Sequence, residues 1–319
     1  MADETLADVG EFGVIDRVIA RLRVSDDVLV GPGDDAAVVS SPDGRVVVTT
    51  DVLVEGRHFR LEWSSPYDVG RKAAAQNLAD VVAMGARPTS LLVGFGAPAD
   101  TPIATAEAIA DGLRDEAGAV GASVVGGDTV GADCLVISVT ALGDLGGRAP
   151  VRRSGARVGD AVVLIGRVGH AQAGLDILRA DDAALAARFV ELVDAHRRPI
   201  VPYDAALAAA MHATAMIDVS DGLLADAAHI ATASGVALEI DVATVDTAAL
   251  QGAAGALGVD AARWVLAGGD DHAFVVTCAP EDVAGDGVVI GRVVDGSGVH
   301  IHAADVPPTA GWDHFGATP

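Results

Sequence analysis

Residues 65–96 read SPYDVGRKAAAQNLADVVAMGARPTSLLVGFG, a helix followed at once by a strand, and this order decides the fold of the first half of the chain. Ser65 is placed as an N-cap and Pro66 in the first helical turn, where a missing N–H goes unnoticed. The alanine-rich run then carries the helix to Gly85, a residue suited to ending it. Residues 90–96 form an apolar run between turn formers, as a buried strand requires. Asn77 and Asp80 are three apart and so share one helix face. A carboxylate set among Leu78, Ala79, Val81 and Val82 either reaches water or is held by a partner.

Upstream, residues 14–22 have helical spacing, 28–30, 37–40 and 45–51 read as short strands, and SPDG at 41–44 is a turn. Downstream come a helix at 102–118, a strand ending in GGDT and a strand at 135–144. Gly146, Gly147, Pro150 and Gly155 mark a linker. Beyond it, strands at 162–166, 215–220, 236–241, 272–278, 287–293 and 299–303 alternate with helices near 171–180, 183–195, 203–213 and 221–234, and an alanine-rich stretch runs to 267. The expectation is two domains, a mixed α/β domain over 1–147 and a second over 148–319.

The 319 residues are 51% apolar and 21% charged, a composition that supports a packed core. With 21 basic against 45 acidic side chains the net charge is −24, a field that repels nucleic acid and anionic membranes. Neither is an expected partner. Lys72 is the only lysine, which excludes a Walker-A loop and leaves one candidate for Schiff-base chemistry. Cys134 and Cys278 lie in apolar runs without metal-ligand spacing and read as buried thiols. No leader pattern opens the chain and no run approaches a membrane span, so the cytoplasm is the expected location.

Six segments set aspartate beside glycine, threonine or a strand end: GPGDDAA (31–37), TTD (49–51), NLAD (77–80), GGDT (126–129), VSDGL (219–223) and GGDD (268–271). Each has an ordinary reading as a turn, a cap or a solvated face. Their recurrence points elsewhere, because aspartates gathered in one pocket take up protons unless cations sit among them. Carboxylate and hydroxyl oxygens suit Mg²⁺, with phosphates completing its shell. Ser220 and Asp221 open a helix after a strand, where unpaired amides attract an anion. Arg152 and Arg153 either hold a polyphosphate or are merely solvated, and His58 in VEGRHF follows the TTD strand.

In this order GEFGVIDRV, GPGDDAA, TTDVLVEGRHF, NLADVVAMGARP, GGDT, RRSGARVGD, VSDGL, GGDDHAF and GWDHFG resemble the thiamine-monophosphate kinases, in the superfamily that includes aminoimidazole ribonucleotide synthetase and selenophosphate synthetase. The resemblance implies ATP-dependent phosphorylation of thiamine monophosphate by a homodimer. It also implies an N-terminal α/β domain whose strands form a shared barrel with the partner's, and an α+β C-terminal domain. It places Asp35, Thr49, Thr50, Asp51, Asp80, Asp128, Asp218 and Asp221 around several Mg²⁺ ions. It assigns Gly127, Asp128, Arg153 and Ser220 to ATP, and His58, Asp270 and Trp312 to thiamine monophosphate. Where such kinases commonly read GGEDYEL this chain reads GGDDHAF, so Asp270 is one carbon shorter and His272 and Ala273 replace Tyr and Glu.

The expected chemistry is direct in-line transfer between two anions, helped by charge neutralisation and positioning. A selenophosphate synthetase would need a reactive cysteine near the N-terminus, and none precedes Cys134. A cyclo-ligase of the same superfamily and a nucleotide-binding regulator without turnover remain the alternatives.

Overall fold

The computed structural model describes residues 4–31, 37–283 and 285–302, with the backbone alone for Glu11 and Phe12. The chain divides into two compact units, Met1–Val82 with Ala86–Ala149, and Pro150–Pro319 with Ala83–Gly85.

The first unit runs α1 (Leu6–Ile19), β1 (Val28–Val30), β2 (Val38–Val39), β3 (Val47–Val54), α2 (Pro66–Ala83), β4 (Arg87–Ala97), α3 (Ile103–Ala119), β5 (Ser123–Gly131) and β6 (Val136–Asp144). Helix α1 starts earlier than its apolar spacing predicts. Thr5 and Asp8 exchange capping bonds there, and the helix breaks at Gly10. The Ser65 reading holds, since Ser65 and Asp68 bond each other across the first turn of α2. β1 and β2 form a small ribbon, and the main sheet has the order β3-β6-β4-β5. β4 and β5 are parallel and joined through α3, and the other pairings in this sheet are antiparallel. Pro88 precedes the first residue of β4 that pairs with β5, so its missing N–H leaves that ladder intact. Arg21 ties α1 to α3 through Glu107 (3.0 Å) and Asp111 (2.8 Å).

The second unit runs β7 (Ala161–Ile165), α4 (His170–Arg179), α5 (Ala183–Arg188), α6 (Val190–Arg197), α7 (Tyr203–Ala209), β8 (Ala215–Val219), α8 (Leu223–Ser234), β9 (Ala237–Asp241), α9 (Ala248–Leu257), α10 (Ala261–Ala267), β10 (Ala273–Cys278), β11 (Val288–Val294) and β12 (Gly298–His302). The single helix expected over 183–195 is broken at Phe189, whose ψ of 40° leaves the helical range. The sheet order is β12-β9-β11-β7-β10-β8, parallel only between β12 and β9, which makes this an α+β unit. Every residue of β7, β8 and β10 is buried. β8 lies at the sheet edge, and the segment after the linker covers it: Met216 N–H donates to Arg152 O, and a Cβ on Gly155 would lie 2.4 Å from Thr214 O. No helix among the described residues is long and apolar enough to cross a membrane.

Helices α2 and α3 meet backbone to backbone. A Cβ on Gly70 would lie 2.1 Å from Ile109 O, and one on Gly112 would lie 2.1 Å from Tyr67 O. Main chain cannot swing aside as a side chain can, so the two helices would have to separate. Gly112→Ala is therefore expected to cost about 1–3 kcal/mol in urea denaturation. Gly118→Ala, on the same helix with nothing within 4 Å of the added carbon, is expected to be neutral or slightly stabilising. Equal costs at the two positions would contradict the contact.

Candidate functional site

In the first unit the pleat of β3 sorts the TTD segment. Thr49 and Asp51 face α2, where Thr49 Oγ1 donates to Asp80 Oδ2 at 2.7 Å and Asp51 N–H donates to Asn77 Oδ1 at 3.0 Å. Asn77 is fully buried, and its amide nitrogen donates to Ala73 O at 2.9 Å, which fixes the way the side chain points. Asp80 is half-buried and held by Thr49, so of the two readings open in the sequence the partnered one applies.

Thr50 points to the opposite face, donating to Val139 O at 3.0 Å and accepting from Thr140 Oγ1. The register Val52, Ser138, Gly94, Asp128 runs straight across the sheet, so Asp128 shares the Thr50 face. β3 and β5 are the two sheet edges, three strand spacings or roughly 14 Å apart. One copy of this sheet therefore does not bring Asp128 to Thr49, Asp51 and Asp80. Gly127 has a structural reason to be glycine, since an added Cβ would lie 1.9 Å from Val93 O.

His58 lies in the turn after β3. Its Nδ1 accepts from Val54 N–H at 2.9 Å, so in the neutral ring the proton sits on Nε2. Lys72 is buried in α2 with Nζ 3.5 Å from His58 O, a place that backs the turn. Cys134 is half-buried where burial is expected, while Cys278 is buried, and both are free thiols. Asp35 and Trp312 lie outside the described residues.

In the second unit the VSDGL and GGDDHAF segments meet at the ends of β8 and β10. Asp270 N–H donates to Ser220 O at 2.8 Å and His272 N–H donates to Val219 O at 2.9 Å. Asp218 is buried and accepts from His272 Nδ1–H at 3.1 Å. Ser220 is not the cap of α8. Gly222 holds that position, and Asp226 supplies the capping carboxylate, with Oδ2 accepting from both Asp221 N–H and Gly222 N–H at 3.0 Å. Burial first, then the charges of Asp218 and Asp221, push the Asp226 carboxyl up to about 7. Arg153 is exposed on the segment beside β8, where its carbonyl accepts from Ser234 Oγ at 3.1 Å.

Asp270 and Asp271 do different work although they are neighbours. Asp270 is half-buried in a left-handed conformation (φ 69°). Asp271 is buried, accepting from Gly169 N–H at Oδ2 (2.5 Å) and from Ala171 N–H at Oδ1 (2.8 Å). It caps α4, whose own N-cap residue, Gly169, has no side chain to do so. Sequence reading missed Asp226 and Asp271. For Asp226 a carboxylate four residues into a helix that begins at glycine was an available signal, whereas nothing local marks Asp271 rather than Asp270 as the buried one.

Among the described residues no three His, Cys, Asp or Glu side chains group closely enough to hold a metal ion by themselves. The donors present are nevertheless the hard oxygens that Mg²⁺ takes. That ion is commonly held by one or two carboxylates with phosphates and water filling its shell, so a small protein donor set suffices. Asp226, raised chiefly by burial, also feels the charges of Asp218 and Asp221, a negative excess that a cation would relieve.

Residues 33–145 match the AIR synthase related protein, N-terminal domain, and residues 157–303 match the AIR synthase related protein, C-terminal domain. The chain is 52% identical over 318 residues to thiamine-monophosphate kinase of Mycobacterium tuberculosis, an alignment covering 98% of this chain and 93% of that protein. It is similar to the solved thiamine-monophosphate kinase from Stenotrophomonas maltophilia K279a, with a TM-score of 0.80 and 35% identity, covering 92% of this chain and 96% of that one. It is also similar to AaThiL complexed with AMPPCP and TMP, with a TM-score of 0.80 and 32% identity, covering 97% and 98%.

Burial holds the Asp271 carboxyl up at about 7, against the two backbone N–H bonds that favour its anion. A carboxyl raised above its unfolded value binds its proton more tightly in the folded state, so its stabilising contribution is largest at low pH and is lost as pH rises towards 7. The Tm of wild type minus that of Asp271→Asn should therefore shrink between pH 5 and pH 7.5. Asp271→Ala, with both amides of α4 left unpaired, should be ~1–2 kcal/mol less stable than Asp271→Asn at any pH, since neither variant titrates there. A pH-independent difference for the asparagine variant would contradict the assignment.

Proposed function

The chain belongs to the thiamine-monophosphate kinase family of AIR synthase related proteins, and from that premise we propose that it transfers the γ-phosphoryl group of ATP to thiamine monophosphate in the cytoplasm, releasing ADP and thiamine diphosphate. The observation that carries the proposal is likeness along almost the whole chain to kinases of this name, one of them solved with AMPPCP and TMP.

In the proposed reaction a phosphate oxygen of the acceptor forms a bond to the γ-phosphorus. The bond from that phosphorus to the β–γ bridging oxygen breaks, and ADP leaves with the electron pair. The attacking oxygen is largely deprotonated near neutral pH, the second phosphate pKa being about 6, so no side chain has to act as a general base. Reaction is then governed by orientation and charge. Thr49, Asp51 and Asp80 in the first unit and Asp218 and Asp221 in the second are residues that would hold Mg²⁺, and Asp35, Thr50 and Asp128 complete the proposed set. Mg²⁺, when bound, offsets the phosphate charge that otherwise keeps two anions apart. Asn77 keeps the backbone at Asp51 in place, and Thr49 restricts the Asp80 carboxylate. Gly127, Asp128, Arg153 and Ser220 are assigned to ATP. His58, with its proton on Nε2, is suited to donate to a phosphate oxygen, and Asp270 and Trp312 are assigned to the thiamine moiety.

The proposal includes a homodimer that closes a shared barrel. Its support is the outer face of the four-stranded sheet, where Val48 (61%), Val52 (45%), Leu92 (39%) and Val130 (55%) are exposed together. A sheet face that exposes apolar side chains among small and hydroxyl-bearing ones is a surface for burial against another chain.

ADP release should require ATP, Mg²⁺ and thiamine monophosphate together, and Asp51→Asn should lower kcat by about 10²-fold or more. Nucleotide binding without turnover would instead indicate a regulator, and turnover only with another acceptor a sister enzyme. In light scattering the wild type should have twice the mass of one chain. The double variant Val48→Asp with Val52→Asp should run as a folded monomer, and an unchanged mass would remove this face from the interface.

A further inference from the structure

His272 is one of three non-glycine residues among those described with positive φ, at 50°. Histidine is tolerated there better than most side chains, yet the conformation is strained and persists only where surroundings impose it. The consequence is specific. The ring comes to rest with Nδ1 3.1 Å from Asp218 Oδ2, both side chains 5% exposed. A carboxylate oxygen accepts, so Nδ1 carries the proton. The main chain of His272 is fixed independently by its N–H bond to Val219 O, one residue from Asp218, and Asp271 anchors the loop on its other side. The charges of Asp218 and Asp221 both reach the Asp226 carboxyl, so Asp218 lies among other acidic groups.

We propose that His272 is a positioning residue for Asp218, its Nδ1–H donating to one carboxylate oxygen so that Asp218 keeps a single orientation for binding Mg²⁺. The proposal rests on the metal-dependent phosphotransfer described above and extends it to a position where kinases of this type commonly carry tyrosine. Carboxylates that bind metals depend on such supporting hydrogen bonds, and losing one commonly weakens metal affinity 10–100-fold.

The test compares two substitutions in the full chain. His272→Gly removes the ring while relaxing the backbone, and His272→Asn keeps an N–H donor close to the Nδ1 place in a residue that accepts left-handed φ. Mn²⁺ affinity is read by electron paramagnetic resonance, alongside kcat, the two KM values and Tm. His272→Gly should bind Mn²⁺ about 10–100-fold more weakly and His272→Asn within a few-fold of wild type. The KM for thiamine monophosphate should be unchanged at saturating metal. Should the glycine variant fail to fold, His272→Ala replaces it in the same comparison. Equal Mn²⁺ affinity for wild type and the ring-less variant overturns the proposal, as does an asparagine variant no better than glycine. A wild type that neither binds Mn²⁺ nor releases ADP overturns the parent reading and this one together, whereas an active wild type with an unaltered ring-less variant overturns this one alone.

Discussion

The buried carboxylate of Asp271 fixes the part of the second unit where chemistry is proposed. It joins the start of β10 to the first turn of α4, whose amides at Gly169 and Ala171 have no capping side chain at Gly169. Turning that side chain inward forces an irregular path on the residues around it. Asp270 and His272 both take left-handed backbone conformations, and their amides reach back to Ser220 and Val219 on the other acidic segment. Asp270 is thereby left at the surface of the loop while His272 is turned onto Asp218. One helix cap thus sets the directions of three neighbouring side chains. The same helix is held from its far end by Asp176, which accepts from Trp264 Nε1 at 2.8 Å and links α4 to α10.

Local rules made much of the fold legible. Ser65 and Pro66 open α2 and Gly85 closes it because capping and stopping depend on the residues themselves and their immediate neighbours. The runs read as strands at 162–166 and 272–278 become the buried strands β7 and β10 for the same reason. Phe189 was not legible, because an apolar side chain gives no local sign that the helix will break at its backbone. Nor was the difference between Asp270 and Asp271. Adjacent identical residues carry the same local preferences, and which of them is buried depends on an amide about a hundred residues away. Thr49 and Thr50 present the same difficulty in a strand. The period of two sends them to opposite faces, but which of them faces α2 depends on where β3 packs.

That alternation constrains any account of the first unit. A resemblance groups Thr49, Thr50, Asp51 and Asp128 into one set, yet a flat pleat cannot turn consecutive residues towards one point, and β5 stands at the opposite sheet edge from β3. Thr50 and Asp128 share their face with exposed Val48, Val52, Leu92 and Val130, while Thr49, Asp51 and Asp80 lie on the α2 side. Apolar side chains gain from leaving water, and polar side chains enclosed with them need partners. If the valine face is covered by a second sheet, as in the proposed dimer, Thr50 and Asp128 stand at or near that junction. Thr50 is already paired with Val139 O and Thr140 Oγ1, so it is the Asp128 carboxylate that must then be satisfied by the partner, by a cation or by a ligand. The split of the acidic set between two faces and the apolar surface between its members therefore bear on a single question, and an association that buries the valines also decides what Asp128 meets.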